Sequence, residues 1–212
     1  MGRFGRFILS AICFVALCGT PVTAHSPVVD SIALGNMQLP LNGNQQHRAY
    51  LGVVSEARVI VSQIRADHLI IAIFNSFCTI CQTDAPILNS IYEMVAEDPL
   101  LKGKVKMIGI GAGNTELEVE QFQQTHRVPY PLFADPDFKL DKAITENLRA
   151  PMFVAVKNTD GAPLEVVRTH TGPLKSVGDL LKEALAQAFP DRSLPLGTRT
   201  YVANWTEELR SQ

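Results

Sequence analysis

Two cysteines separated by two residues, Cys78 and Cys81, are the side chains best placed to do chemistry in this chain of 212 residues. Such a pair can cycle between dithiol and disulfide: one thiolate attacks an external disulfide, and the other thiol resolves the mixed disulfide that forms. The pair follows the apolar run His68 to Asn75 (HLIIAIFN). It opens a segment from Cys81 to about Ala96 in which Ile87, Leu88, Ile91, Met94 and Val95 recur at helical spacing. A cysteine where a strand feeds a helix meets unpaired amide N–H groups and the positive end of the helix dipole, which favour the thiolate. On this logic Cys78 is the attacker. Cys81, about one turn further in and more buried, is the resolving thiol.

The other two cysteines, Cys13 and Cys18, lie in a stretch that reads as an export signal. Arg3 and Arg6 supply a positive start, and Phe7 to Leu17 is apolar apart from Ser10. Val22 and Ala24 then stand three residues and one residue before a cut at His25, where signal peptidase needs small side chains. The apolar run is shorter than the roughly 20 residues of a bilayer-spanning helix. An uncleaved anchor is the alternative, and the one route by which this reading reaches a membrane. Leu17 argues against a lipidated start at Cys18. After cleavage Cys78 and Cys81 are the remaining cysteines. The loop they close is too small to staple a fold through unfolded-state entropy, so in an oxidising compartment the pair reads as a redox device.

The rest of the sequence supplies elements to hold that pair. With 46% hydrophobic and 19% charged residues the chain can build one core, and a formal net charge of -2 gives no basic excess for nucleic acid. The expected organisation is a signal peptide over 1–24, an N-terminal β extension over 25–66, a redox domain over 67–189 and a tail over 190–212. Within the extension, Met37 to Leu41 and part of Ala57 to Ile64 read as strands around an Asn42-Gly43-Asn44 turn. The unalternating apolar run at 68–75 predicts a central strand covered on both faces. Pro86 falls inside the following helix, where it predicts a kink. Lys104 to Gly111 is a second buried strand, and Thr115 to His126 a polar helix capped by Asn114 or Thr115. Tyr130 to Phe133 reads as a strand and Asp137 to Asn147 as a short helix. Met152 to Val156, a turn at Asn158 to Gly161 and Leu164 to His170 form a hairpin, and Val177 to Phe189 is a closing amphipathic helix. This is an α/β layout with a mixed sheet. Trp205, in the tail, is expected to dock on the core.

The segment Phe74 to Pro86 (FNSFCTICQTDAP) resembles the thioredoxin active-site segment. It has an apolar strand, an aromatic residue before the first cysteine, the CxxC, and a proline five residues after the second. Arg149 to Val154 (RAPMFV) resembles that family's cis-proline segment, with Pro151 and Ala150 at the matching positions. The long interval between them, containing 115–126 and His126 to Ile144, and the N-terminal signal are similar to the exported TlpA/ResA-like redoxins. The resemblance covers roughly residues 50–188. It implies a thioredoxin fold, a central mixed β-sheet flanked by helices, with the N-terminal β extension and the extra strand–helix insertion of the redoxin branch. It also implies an exported thiol:disulfide oxidoreductase, needing no cofactor. Its partners would be protein disulfide substrates and an upstream thiol-disulfide electron donor. In this branch reduction of exported clients, apocytochrome c being the familiar case, is favoured over general oxidation. The family's cis-proline keeps metal ions off the thiols, and the residue before it offers backbone groups to the substrate.

The departures bear on mechanism. Ala72 stands where thioredoxin has a buried acid that assists the second cysteine. Asp84, three residues after Cys81, matches an acidic position of the ResA-like branch; it reads either as a proton-transfer group or as a solvated helix residue. Phe77 replaces the usual tryptophan, and Thr79-Ile80 matches neither thioredoxin nor strong oxidants, so the direction of electron flow is open. A peroxidase on the same scaffold would need Thr or Ser three residues before the cysteine and a proline further upstream, where Asn75 and Ile71 stand. A dithiol metal-binding module without turnover is the other alternative. Haem attachment fails because Gln82 follows Cys81, and the scattered histidines (His25, His47, His68, His126, His170) offer no structural zinc set. His68 and His170 read as polar strand ends. Gly109 to Asn114 has Asn114 where a dinucleotide loop needs its third glycine, and reads as a strand-to-helix turn.

Overall fold

A computed structural model describes residues 28–145 and 148–174. The signal segment, the closing helix expected at 177–189 and the tail with Trp205 lie outside the described residues.

The apolar run at 68–75 forms β4 (His68–Phe74). It is preceded by β1 (Val28–Val29), α1 (Ser31–Gly35), β2 (Gln38–Pro40), α2 (Gln45–Leu51) and β3 (Arg58–Ile60). After it come α3 (Thr79–Glu97), β5 (Val105–Ala112), α4 (Glu116–Thr125), β6 (Leu132–Asp135), β7 (Ile144–Thr145), β8 (Met152–Lys157) and β9 (Glu165–Thr171). Five strands make the central sheet in the order β6-β5-β4-β8-β9. β4 runs parallel to β5, and β5 to β6, whereas β8 is antiparallel to both β4 and β9. The dithiol follows the central strand of this mixed sheet.

β4 carries apolar residues without alternation because each of its faces meets a different core. Ile70, Ala72 and Phe74 pack with Cys81, Ala85, Leu88 and Ile91 of α3. Leu69, Ile71 and Ile73 point the other way, onto Leu34, Leu39, Leu51, Val59, Val61 and Ile64 of the extension. Burying a side chain of this kind contributes about 1.5–3 kcal/mol. Six of them amount to about 10 kcal/mol or more, comparable with the net stability of a whole domain, about 5–15 kcal/mol. The extension therefore supplies much of the cover for one face of the central strand.

It contains the two expected strands, paired antiparallel as β2 and β3, and two short helices that hydrophobic periodicity did not reveal. Asp30 caps α1 by accepting the Ile32 and Ala33 N–H groups at 2.9 and 3.0 Å. Asn44, legible as a turn residue, caps α2 through the His47 N–H at 2.9 Å, and Gly52 ends it in the left-handed conformation.

Two other expectations change. Over its described residues, 137–145, the segment expected as a short helix holds one 3₁₀ turn at Lys139–Lys142 that gives way to β7, which pairs with β1. The buried Asp135 carboxylate takes the Lys139 and Leu140 N–H groups and tightens the chain there, and the β-branched Ile144 and Thr145 suit a strand. The strand expected at 104–111 runs on to Ala112 as β5, so the turn read over 109–114 shrinks to Gly113 and Asn114; a Cβ at Gly109 would collide with Leu132 and one at Gly111 would meet Val119 at 2.8 Å. Pro86 lies inside α3, which runs unbroken through it.

Candidate active site

Cys78 is the N-cap residue of α3, and its sulfur accepts the Cys81 N–H at 3.3 Å. Its thiol also points across the site to the Ala150 carbonyl, 3.7 Å away. The Ala150–Pro151 bond is cis, and the segment that opens β8 stands beside the dithiol. Cys78, Cys81, Ala150 and Pro151, separated by some seventy positions, thus come together, with both cysteines free. Phe77 is 73% exposed and Ile80 43%, which places two apolar side chains on the open rim beside Cys78.

Cys81 is buried, and burial pushes its thiol up to about 12; the hydrogen bond with the Cys78 side chain and the negative charge of Asp84 act in the same direction. A resolving thiol in that state needs a base. Asp84 is only 2% exposed, so the solvated reading of this residue does not hold. It lines a small, mostly apolar cavity with Cys81, Ala72, Phe74, Tyr130, Pro151 and Phe153. Ala72 leaves the strand side of that cavity without an acid, and Asp84 brings one from the helix side. Burial raises the proton affinity of Asp84. The Leu174 N–H, donated to Oδ2 at 3.2 Å, and the nearby His170 oppose that rise.

The sequence did not reveal the brace beneath the loop that carries Cys78. Asn114 is fully buried. Its Oδ1 accepts the Ser76 N–H at 2.8 Å, and its Nδ2 donates to Ser76 Oγ at 2.8 Å and to Glu118 Oε2 at 3.4 Å. Asn75 donates to the Ala112 carbonyl at 2.9 Å and accepts the Phe77 N–H at 3.0 Å. Gln82 donates to the Ser76 carbonyl at 2.8 Å. Residues 75–77 are thus fastened to the end of β5 and to the start of α4, which Thr115 and Glu118 close with a capping box. The available signal was a polar residue between a glycine-rich strand end and an N-cap. Asn114→Ala leaves the Ser76 N–H without its acceptor and is expected to lower stability by about 1–3 kcal/mol. Urea denaturation of the reduced protein measures this, and an unchanged midpoint would show that the brace carries no weight.

A five-stranded mixed sheet with a CxxC at the head of the helix after its central strand, and a cis-proline opposite, defines the thioredoxin fold. Residues 48–158, just over half of the chain, match the AhpC/TSA family, and the chain belongs to that family. No curated protein matches it in sequence. Among solved structures it is similar to DsbF of Mycobacterium tuberculosis, at 15% identity and a TM-score of 0.52, covering 73% of this chain and 96% of that one. It is also similar to a thioredoxin-like protein of Porphyromonas gingivalis, at 14% identity and a TM-score of 0.53, covering 76% of this chain and 95% of that one. At these identities the likeness establishes the fold.

Proposed function

We propose that this protein is an exported thiol:disulfide oxidoreductase that reduces disulfides of client proteins through Cys78 and Cys81. The observation that carries this reading is the placement of the Cys78 sulfur at the N-terminus of α3, beside the Cys81 N–H and facing the Ala150 carbonyl. A thiolate at Cys78 attacks a client disulfide, forms a mixed disulfide, and expels one client thiolate, which takes a proton from solvent. Asp84 accepts the Cys81 proton. The Cys81 thiolate then attacks the Cys78 sulfur, the mixed disulfide breaks, and the second client sulfur leaves as a thiolate that solvent protonates, while the Cys78–Cys81 disulfide forms and Asp84 returns its proton to solvent. An upstream dithiol donor returns two electrons to restart the cycle. Phe77 and Ile80 give the client an apolar landing surface next to the attacking sulfur.

The export signal supports a periplasmic or cell-envelope location, and the resemblance to the TlpA/ResA-like branch supports the reducing direction. The reduction potential of the Cys78–Cys81 couple tests that direction. A value near about -270 mV supports a reductant, one near about -120 mV an oxidant, and absence of a reversible disulfide ends the proposal.

The AhpC/TSA family also includes peroxidases, which makes peroxide reduction the second reading. Against it, the position three residues before Cys78 is Asn75, whose side chain is engaged by Phe77 and Ala112. Peroxide consumption at enzymatic rates with a thiol donor would reverse the ranking.

A further inference from the structure

We propose that His170 is a positioning residue for Asp84, acting through the single peptide group that joins Pro173 to Leu174. The proposal rests on the reading of Asp84 as the base for Cys81. His170 Nε2 lies 3.3 Å from the Pro173 carbonyl oxygen, and the Leu174 N–H on the other side of that peptide donates to Asp84 Oδ2 at 3.2 Å. One rigid unit therefore receives a hydrogen bond from the imidazole and passes one to the carboxylate. Among the described residues, Leu174 is the one hydrogen-bond donor that Asp84 has. The imidazole is itself held in place: His170 pairs across the sheet with Phe153, the two rings 6.0 Å apart, and Phe153 lines the cavity into which Asp84 projects.

The chemistry of the arrangement sets its direction. A carbonyl oxygen only accepts, so Nε2 carries the proton whether the ring is neutral or charged. Donation from Nε2–H polarises the 173–174 peptide and strengthens the Leu174 N–H as a donor to Asp84. The positive charge of the ring acts on the carboxylate in the same sense. Among the described residues, the titratable groups facing Asp84 are Cys81 from its own helix, Tyr130 across the cavity and His170 from β9. On its own strand His170 shares a face with the exposed Arg168, and the β8 residue against it, Phe153, is uncharged. Burial raises the proton affinity of Asp84 and so works against the carboxylate that would serve as base. His170 keeps it a carboxylate to lower pH.

The test compares the pH dependence of mixed-disulfide resolution in the full exported protein and in His170→Phe, His170→Gln and Asp84→Asn, with the Asp84 carboxyl followed by carbon NMR. His170→Phe removes both the hydrogen bond and the charge; the acid limb and the Asp84 titration are expected to move to higher pH, with resolution on that limb slowed several-fold. His170→Gln can still donate to the Pro173 carbonyl and is expected to recover most of that loss. An acid limb and an Asp84 titration that stay in place in His170→Phe would overturn the proposal. A His170→Gln variant no better than His170→Phe would also overturn it, since the peptide would then transmit nothing. If Asp84→Asn keeps the same acid limb, Asp84 is not the base and the underlying reading falls first. If Asp84→Asn removes the limb while His170→Phe leaves it unmoved, this inference alone falls.

Discussion

Cys81→Ser, incubated with a disulfide-bonded client, is expected to accumulate as a covalent adduct through Cys78, whereas Cys78→Ser forms none. Client reduction falls to the uncatalysed level in both. The asymmetry follows from the two environments. Cys78 is half-buried at the helix N-terminus, with a backbone N–H on its sulfur and an apolar rim around it. Cys81 is buried, and its thiol is held well above the ordinary range. A thiol in that state cannot reach an external disulfide, but it can reach the neighbouring sulfur once that sulfur is part of a mixed disulfide. Non-reducing gel electrophoresis, with adduct release by dithiothreitol, reads the result. An adduct formed by Cys78→Ser through Cys81 would reverse the assigned roles.

Asp84→Asn has the second largest expected effect, and its two consequences have opposite signs. Without a carboxylate in the cavity, resolution by Cys81 slows at neutral pH, and the mixed disulfide with Cys78 persists in an otherwise intact protein. The fold, however, gains. Burial raises the Asp84 proton affinity in the native state, so folding favours the protonated acid. The stability contribution of that preference is complete below the unfolded midpoint of about 4 and is lost as pH rises through the higher native midpoint. The amide does not ionise, so the variant should draw ahead of the parent protein as pH rises from mildly acidic to neutral. Urea denaturation of both reduced proteins across that range measures the gap. Parallel stability profiles, together with an unchanged resolution rate, would mean that Asp84 carries neither the cost nor the chemistry.

Much of the site was readable because thiol chemistry announces itself by spacing. Cys78 and Cys81 are two residues apart, an unalternating apolar run precedes them, and helical periodicity follows. β4, α3, β5, α4 and the β8–β9 hairpin all begin and end within about two residues of where composition places them, the ordinary tolerance of such boundaries. The Ala150-Pro151 position was readable only by resemblance, because nothing local in RAPMFV states that it faces residue 78. Asp84 was ambiguous because helical spacing says which face a residue occupies, not what covers that face. The Leu174 backbone and the wall formed by Phe153 and Tyr130 decide it, and those come from remote parts of the chain. Asn114 and His170 were passed over because their roles lie in specific hydrogen bonds that no periodicity encodes: Asn114 bonds the backbone and side chain of the remote Ser76, and His170 bonds the Pro173 carbonyl. The short helices α1 and α2 escaped because capping by Asp30 and Asn44, rather than an apolar stripe, makes them.

The two-sided core under β4 has a consequence for where this protein begins as a physical object. A chain shortened to residue 67 onward would retain every group that touches sulfur chemistry. Yet it would present Leu69, Ile71, Ile73, Ile108, Ile110 and Val154 to water as one contiguous sticky surface. Such a fragment would find a substitute cover in its own copies, and its insolubility would be mistaken for a defect of the redox centre. Residues 28–66 thus act as a tethered companion to the half that carries the dithiol, and the cover over this face reaches back to Leu34.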